Sequence, residues 1–184
     1  MNNIFDTRVL KSHRLLVIMS LFLALHIILT SFYIPIFDNT RILFTFFIKA
    51  LVGYLGGPLW AVIFGFTCDI LGHLIFPSGG YYFGYTITSI LSCFIFALVL
   101  YKQEITILRL FISKFIVNIF VNVIVNSYWS YILLSNGYLY YLLQSFIKNI
   151  ILLPFEVILL VILFKLLNPI FVRIIKERKI YEIY

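Results

Sequence analysis

The stretch "LLVIMSLFLALHIILTSFYIPIF", residues 15–37, contains no Asp, Glu, Lys or Arg. About 20 consecutive apolar residues are enough for a helix to cross the hydrocarbon core of a bilayer. The stretch therefore predicts a membrane-spanning helix that ends near Pro35, because proline interrupts helical hydrogen bonding. The segment before it is polar and basic and is followed by no small-residue cleavage site, which favours a retained span over a removed signal peptide.

The rest of the 184-residue chain has the same character. It is 63% hydrophobic and only 11% charged, whereas about a quarter of the residues of a soluble domain are charged. A core of this length could not hide so much apolar surface from water, so the surrounding solvent must be lipid. The sequence therefore predicts a single all-α integral membrane domain over residues 1–184. We expect six transmembrane helices at approximately 15–35, 42–55, 59–76, 82–101, 109–134 and 146–171.

The basic residues that give the net charge of +7 are unevenly distributed. They precede the first span, follow the fourth and follow the sixth, whereas the opposite loops hold Arg41 and almost no other charge. The positive-inside rule then makes both termini cytoplasmic and turns the loops near 31–41, 76–82 and 134–145 outward. This distribution fits anchoring on an anionic leaflet and not nucleic-acid binding. The basic residues inside are Arg8, Lys11 and Arg14, then Lys102, Arg109 and Lys114, then Arg173, Lys176, Arg178 and Lys179, and the last outward loop contains Tyr138, Tyr140 and Tyr141.

Familiar catalytic and metal-binding patterns are missing from the sequence. Cys68 and Cys93 lie in apolar runs without CxxC spacing, which favours buried thiols over a metal site and leaves a disulfide open. The sequence has no GxxxxGK[ST], HExxH or GxSxG motif. We therefore expect no cofactor and no metal, and any uphill transport must draw its energy from an ion gradient or from another subunit.

Asp69 and His73 are four residues apart in the third predicted span and so share a helix face. Ionisable residues within a span are costly and are usually functional or paired. The two could form a pocket wall or a proton site. Alternatively, they could be structural, with Asp69 bonded to Lys49 or to a neighbouring helix. Two ligands alone are a weak signal for a metal.

A polar stripe runs along the fifth predicted span. Asn118, Asn122 and Asn126 recur every four residues, and Trp129 follows them. The amides could bond to neighbouring helices, or they could recognise the donors and acceptors of a heterocyclic ligand.

Cations and aromatic residues collect near the predicted outer face. Lys148 and Arg41 could reach lipid headgroups, or they could meet an anionic group of a solute. A glycine turn is followed by aromatic residues that could form an interfacial belt or a platform on which a flat ring stacks. These residues are Tyr81, Tyr82, Phe83 and Tyr85.

The stretch "TRILFTFFIKALVGYLGGPLWAVIFGFTCDILGHLIFPSGGYYFGYTIT", residues 40–88, resembles the substrate-binding (S) components of energy-coupling factor (ECF) vitamin transporters, most closely the folate family. The resemblance rests on Arg41, Gly57-Pro58, the Asp-Ile-Leu-Gly segment at 69–72 and the loop at 80–86. "IKNIILLPFE", residues 147–156, resembles the start of the family's last helix. Ser145 stands where folate binders typically have Arg, and Phe83 stands where the loop usually has Pro.

The resemblance implies a six-helix vitamin-binding subunit in the bacterial cytoplasmic membrane. It also implies a partner module made of a transmembrane coupling (T) subunit and two ATP-binding-cassette ATPases. ATP hydrolysis would take place in those ATPases, so this chain itself is expected not to be an enzyme. The small residues Ser20 and Ala24 on the first span resemble the docking face for the coupling subunit. The ligand would be folate or a related pterin or heterocyclic vitamin. The expected binding residues are Phe37, Arg41, Tyr82, Tyr85, Asn118, Asn122, Trp129 and Lys148.

Two other functions remain open from the residues alone. One is a small membrane enzyme that acts on a lipid, with Asp69 and His73 as acid and base. The other is a proton-coupled carrier that works without an ATPase partner.

Overall fold

The computed structural model describes residues 13–37, 40–77, 80–134 and 137–181. The side chains of residues 34–42, 168 and 172–181 lie outside this description. The helices are α1 (His13–Ser31), α2 (Phe46–Ile75), α3 (Phe83–Leu100), α4 (Ile107–Ile116), a π-helical segment (Val117–Val125), α5 (Asn126–Leu133) and α6 (Tyr138–Tyr181).

Within the described ranges, five helical stretches are long and apolar enough to cross a membrane. α4, the π-helical segment and α5 join end to end and count as one of these stretches, Ile107–Leu133. The outer surfaces of the stretches carry many exposed Leu, Ile and Phe side chains, such as Leu74, Leu108 and Phe155. A surface of this kind is stable against lipid and not against water.

A short β-hairpin follows α1, where the sequence analysis expected only helices and loops. Its strands are β1 (Tyr33–Phe37) and β2 (Thr40–Leu43), and they pair antiparallel with Tyr33 opposite Leu43. The first helix consequently ends at Ser31, four residues before Pro35. The reason is local: the segment Tyr-Ile-Pro-Ile-Phe combines residues that favour strands with a proline that is tolerated in an edge strand.

The chain reverses direction within α2, at Gly57. This residue has φ +76° and ψ −175°, values that favour glycine, and Pro58 follows it. On one side of the break, Gly53 lies against Ala97 of α3 and Gly57 lies against Tyr101 beyond it. On the other side, Gly65 lies against Ile90, which is further back along α3. The segments 46–56 and 58–75 therefore run in opposite directions along α3. The predicted spans 42–55 and 59–76 leave residues 56–58 between them, which is where this turn lies.

Glycines also allow α2 and α3 to approach closely. A Cβ atom on Gly53 would lie 2.7 Å from the backbone nitrogen of Ala97. A Cβ atom on Gly65 would lie 2.6 Å from the Cα of Ile90. Both distances are too short for a real side chain, so the absence of a Cβ is what permits this backbone contact.

The last helix is longer than expected. It begins at Tyr138, so Tyr138, Tyr140 and Tyr141 form its first turn and not a loop. Tyr141 is buried and its carbonyl accepts a hydrogen bond from the Ser127 hydroxyl of α5, which fastens this turn to the bundle. Ser135 and Asn136, which fall within the predicted outward loop near 134–145, lie outside the described residues.

Candidate ligand cavity

A cavity of about 370 Å³ lies between the helices. Its volume falls within the range of about 300–1,000 Å³ that is usual for small-molecule sites. The wall draws residues from α1, α2, α3, α4, the π-helical segment, α5 and α6. The charged residues in it are Lys49, Lys114, Lys148, Asp69 and Glu156, and the uncharged polar ones include His26, His73, Thr88, Asn122, Asn126 and Asn149.

A buried ion pair forms one part of this wall. The Lys114 Nζ of α4 lies 3.1 Å from Glu156 Oε1 of α6, and the two side chains are 2% and 11% exposed. The same ammonium lies 4.0 Å from the centre of the Phe46 ring. Asn118 completes the carboxylate's coordination by donating from Nδ2 to Glu156 Oε2 at 2.8 Å. Both charges thus have close partners, which buried charges need.

A chain of hydrogen-bonded amides leads from Asn118, beside this ion pair, through Asn122 to Asn149 of α6. Asn122 Nδ2 lies 3.1 Å from Asn118 Oδ1 and 3.4 Å from Asn149 Oδ1. Asn149 in turn donates to the carbonyl of Ser145 at 2.7 Å. Asn118 and Asn122 lie in the π-helical segment, a geometry that often marks functional sites. The chain of bonds fixes the orientation of each amide before any ligand enters.

A hydroxyl relay connects the 80–82 loop to α2. Thr86 Oγ1 donates to Asp69 Oδ2 at 2.6 Å. Since that proton is used, Tyr81 must donate its own hydroxyl proton to Thr86 Oγ1, at 2.5 Å. The rings of Tyr81 and His73 also meet, with their centroids 5.3 Å apart. Asp69 and His73 thereby hold an aromatic loop residue beside the cavity.

Aromatic rings form the adjoining wall. Tyr82 makes edge contacts with Tyr85 and Trp129, with ring centroids 6.0 Å and 5.7 Å apart. Trp129 also donates from Nε1 to Thr88 Oγ1 at 3.1 Å. Gly84 makes room for these rings, because a Cβ there would lie 2.7 Å from Trp129 Cδ2. The rings are therefore fixed by packing and by a hydrogen bond.

The structure brings most of the predicted site residues together. Tyr82, Tyr85, Asn122 and Lys148 line the cavity, as do Asp69 and His73. Asn118 and Trp129 do not line it but contact residues that do, Asn122 and Tyr82. Phe37 and Arg41 have side chains outside the described residues. Ser20 and Ala24 lie on the exposed side of α1, away from the buried Leu15, Met19 and His26.

Some site residues were missed or assigned differently by the sequence analysis. Lys114 was counted among the cytoplasmic basic residues, but it is buried in the cavity wall. Its spacing of four from Asn118 was a usable signal, since the two share a helix face. Glu156 was detectable as an acid within a span. Lys49 lines the cavity, but it forms no ion pair with Asp69 among the described residues, and Thr86 is the partner of that carboxylate.

The model of the family "ECF transporter, substrate-specific component" matches residues 14–164. The chain belongs to this family. The family is a transporter component and not an enzyme, which argues against a lipid-directed activity of Asp69 and His73. The predicted class, an integral membrane protein built from helices that crosses the bilayer several times, is confirmed at that level.

Among curated proteins, this chain is 28% identical over 151 residues to a folate transporter FolT of Clostridium novyi (strain NT). The aligned region covers 82% of this chain and 88% of the relative. It is 25% identical over 150 residues to a folate transporter FolT of Leuconostoc mesenteroides, with 78% and 80% covered. Among solved structures, a crystal structure of FolT bound with folic acid superimposes with a TM-score of 0.71 at 28% identity. That match covers 79% of this chain and 88% of the other. The predicted resemblance to the folate branch of the S components is confirmed.

Proposed function

We propose that this S component captures folate or a related pterin or heterocyclic vitamin in the cavity described above. The observation that carries the proposal is an internal cavity of about 370 Å³ whose wall combines aromatic rings, ordered amides and lysines. A pterin-like vitamin offers matching chemistry: a flat ring, an edge of donors and acceptors, and an acidic tail. The likeness to two FolT proteins and to FolT bound with folic acid supports the same ligand class.

Each predicted residue has a role in this proposal. The ring stacks against the aromatic wall of Tyr82 and Tyr85, which Trp129 supports from behind. Asn122 meets the ring edge, held by Asn118. Lys148 meets the acidic group from α6. Phe37 and Arg41 belong to the hairpin that follows α1, and in this proposal they complete the set of residues that bind the vitamin.

We also infer the membrane topology. Six crossings follow if the two halves of α2, which run in opposite directions on either side of Gly57, each cross the bilayer. Both termini then face the cytoplasm, in agreement with the positive-inside rule. The cavity opens to the outside of a bacterial cytoplasmic membrane, near the 80–82 loop. The bacterial source of the two FolT relatives supports this location.

Import by this chain requires partners. A transmembrane coupling (T) subunit and two ATP-binding-cassette ATPases supply the energy, and the family of the chain supports such a module. We place the docking face on α1 at Ser20 and Ala24. Both are small and exposed, and the Ser20 hydroxyl is bonded back to the carbonyl of Leu16, so it presents little unsatisfied polarity.

Titration of the purified chain with folic acid tests the proposal. We expect sub-micromolar binding by the wild type and weaker binding by Lys148→Ala, since the tail loses a cationic partner. The matched control is Lys165→Ala, an exposed lysine on the same helix. Binding of neither folic acid nor any pterin in a vitamin panel would refute the proposal.

A further inference from the structure

His26 of α1 is buried without hydrogen bonds. Its side chain is 5% exposed, and neither Nδ1 nor Nε2 has a partner. No other side chain in the described part of the chain has buried nitrogen or oxygen atoms left unpaired in this way. Buried polar groups are nearly always bonded, so an exception needs an explanation. In a protein that binds a ligand, one explanation is that the partner arrives with the ligand.

The surroundings of His26 support this explanation. The imidazole is part of the cavity wall, together with Lys49 and Cys68 of α2. On its other side it makes an edge contact with the Phe64 ring, with centroids 5.8 Å apart. A neutral imidazole carries one donor and one acceptor.

The polar residues at another part of the cavity wall behave differently. Lys114, Glu156, Asn118, Asn122 and Asn149 bond to one another. A ligand that meets this wall replaces or extends existing bonds. A ligand atom that bonds His26 gives a partner to a nitrogen that has none in the protein, so this contact adds more binding free energy than a contact with the bonded residues.

We propose that His26 is a ligand-contacting residue that hydrogen-bonds a polar ring atom of the bound vitamin and helps to select it. This inference rests on the proposed function. His26 lines the cavity, and because the terminal torsion of histidine is broad, its ring can turn towards a ligand without a movement of α1. Vitamins that lack a polar atom at this position are then rejected, because both nitrogens would stay unpaired.

The test compares His26→Leu, which is apolar, with His26→Gln, which keeps a donor and an acceptor. Folic acid binding and the apparent melting temperature are measured for the full-length chain in detergent. We expect His26→Leu to weaken binding about tenfold, and His26→Gln to recover part of that loss. The melting temperature of ligand-free His26→Leu should equal or exceed that of the wild type, because the substitution removes two unsatisfied atoms. The control is Ile28→Val, a lipid-facing change on the same helix.

The outcomes separate the two proposals. If the wild type binds neither folic acid nor any pterin of the vitamin panel, the proposed function fails and this inference fails with it. If the wild type binds and His26→Leu binds equally well, only the inference is overturned. If His26→Leu does not fold, the nitrogen resonances of labelled histidine in the wild type decide, with His26 assigned from His26→Gln. A shift of the His26 signals on addition of folic acid supports the contact, and unchanged signals overturn it.

Discussion

The buried pair of Lys114 and Glu156 provides the sharpest test of how the cavity wall is built. Their side chains are 2% and 11% exposed and their charged atoms are 3.1 Å apart. Replacing Lys114 with Met removes a cation 3.1 Å from the carboxylate, which keeps the amide donor of Asn118. Replacing Glu156 with Leu leaves the ammonium against the Phe46 ring. Removing one partner of a buried ion pair costs about 3–5 kcal/mol, whereas replacing both with apolar residues of similar volume is often close to neutral.

We therefore expect each single variant to lose about 3–5 kcal/mol of stability and the double variant to lose clearly less than either. The ring contact cannot compensate in Glu156→Leu, because a cation–π interaction contributes only about 0.5–2 kcal/mol. The assay is thermal unfolding of the ligand-free chain in one detergent, read as a double-mutant cycle. The control is Lys165→Met, which changes an exposed lysine on α6 and should have the melting temperature of the wild type.

Two results would refute this reasoning. One is a Lys114→Met variant that melts at the wild-type temperature, since the carboxylate would then not need its cation. The other is a double variant whose loss equals the sum of the single losses, since the two side chains would then act independently. Either result would mean that the wall is not held by this pair.

Three further predictions follow from other parts of the molecule. Tyr81→Phe removes the proton donated to Thr86 and should speed dissociation of folic acid about fivefold in a stopped-flow assay; an unchanged rate would mean that the relay does not hold the loop. Gly53→Ala should lower the melting temperature, because the new Cβ would lie 2.7 Å from the α3 backbone. The control Gly72→Ala places a Cβ with no atom within 4 Å and should leave the melting temperature unchanged or raise it. Equal effects of the two substitutions would contradict the close packing of α2 on α3. Ala24→Trp should abolish vitamin uptake in cells that supply the partner module but leave vitamin binding by the purified chain intact. Uptake that persists in this variant would show that α1 is not the docking face.

The sequence was informative wherever a feature is local. The charge-free runs predicted a helical membrane protein, because a spanning helix satisfies its own backbone hydrogen bonds. Gly57-Pro58 predicted a turn, and φ +76° at Gly57 is the backbone reason. The fourfold spacing of Asn118 and Asn122 predicted a common face, and the two amides are bonded to each other.

The sequence was less informative about pairing between distant segments. Whether Asp69 meets Lys49 or Thr86 depends on the register of α2 against α3, which the close contact at Gly65 determines. Lys114 was assigned to the cytoplasmic basic residues, because its partner Glu156 lies far along the chain and no local pattern joins the two. The β-hairpin was missed because a helix and a strand compete closely in a short apolar segment next to a proline.

The central claim is that the cavity between these helices holds a folate-type vitamin. The most direct test is to purify the chain from cells grown in rich medium, release any bound small molecule by denaturation and determine its mass. The account predicts a folate or a related pterin, present in proportion to the protein and displaced by added folic acid. A bound compound of unrelated chemistry, or an empty protein that folic acid does not fill, would contradict it.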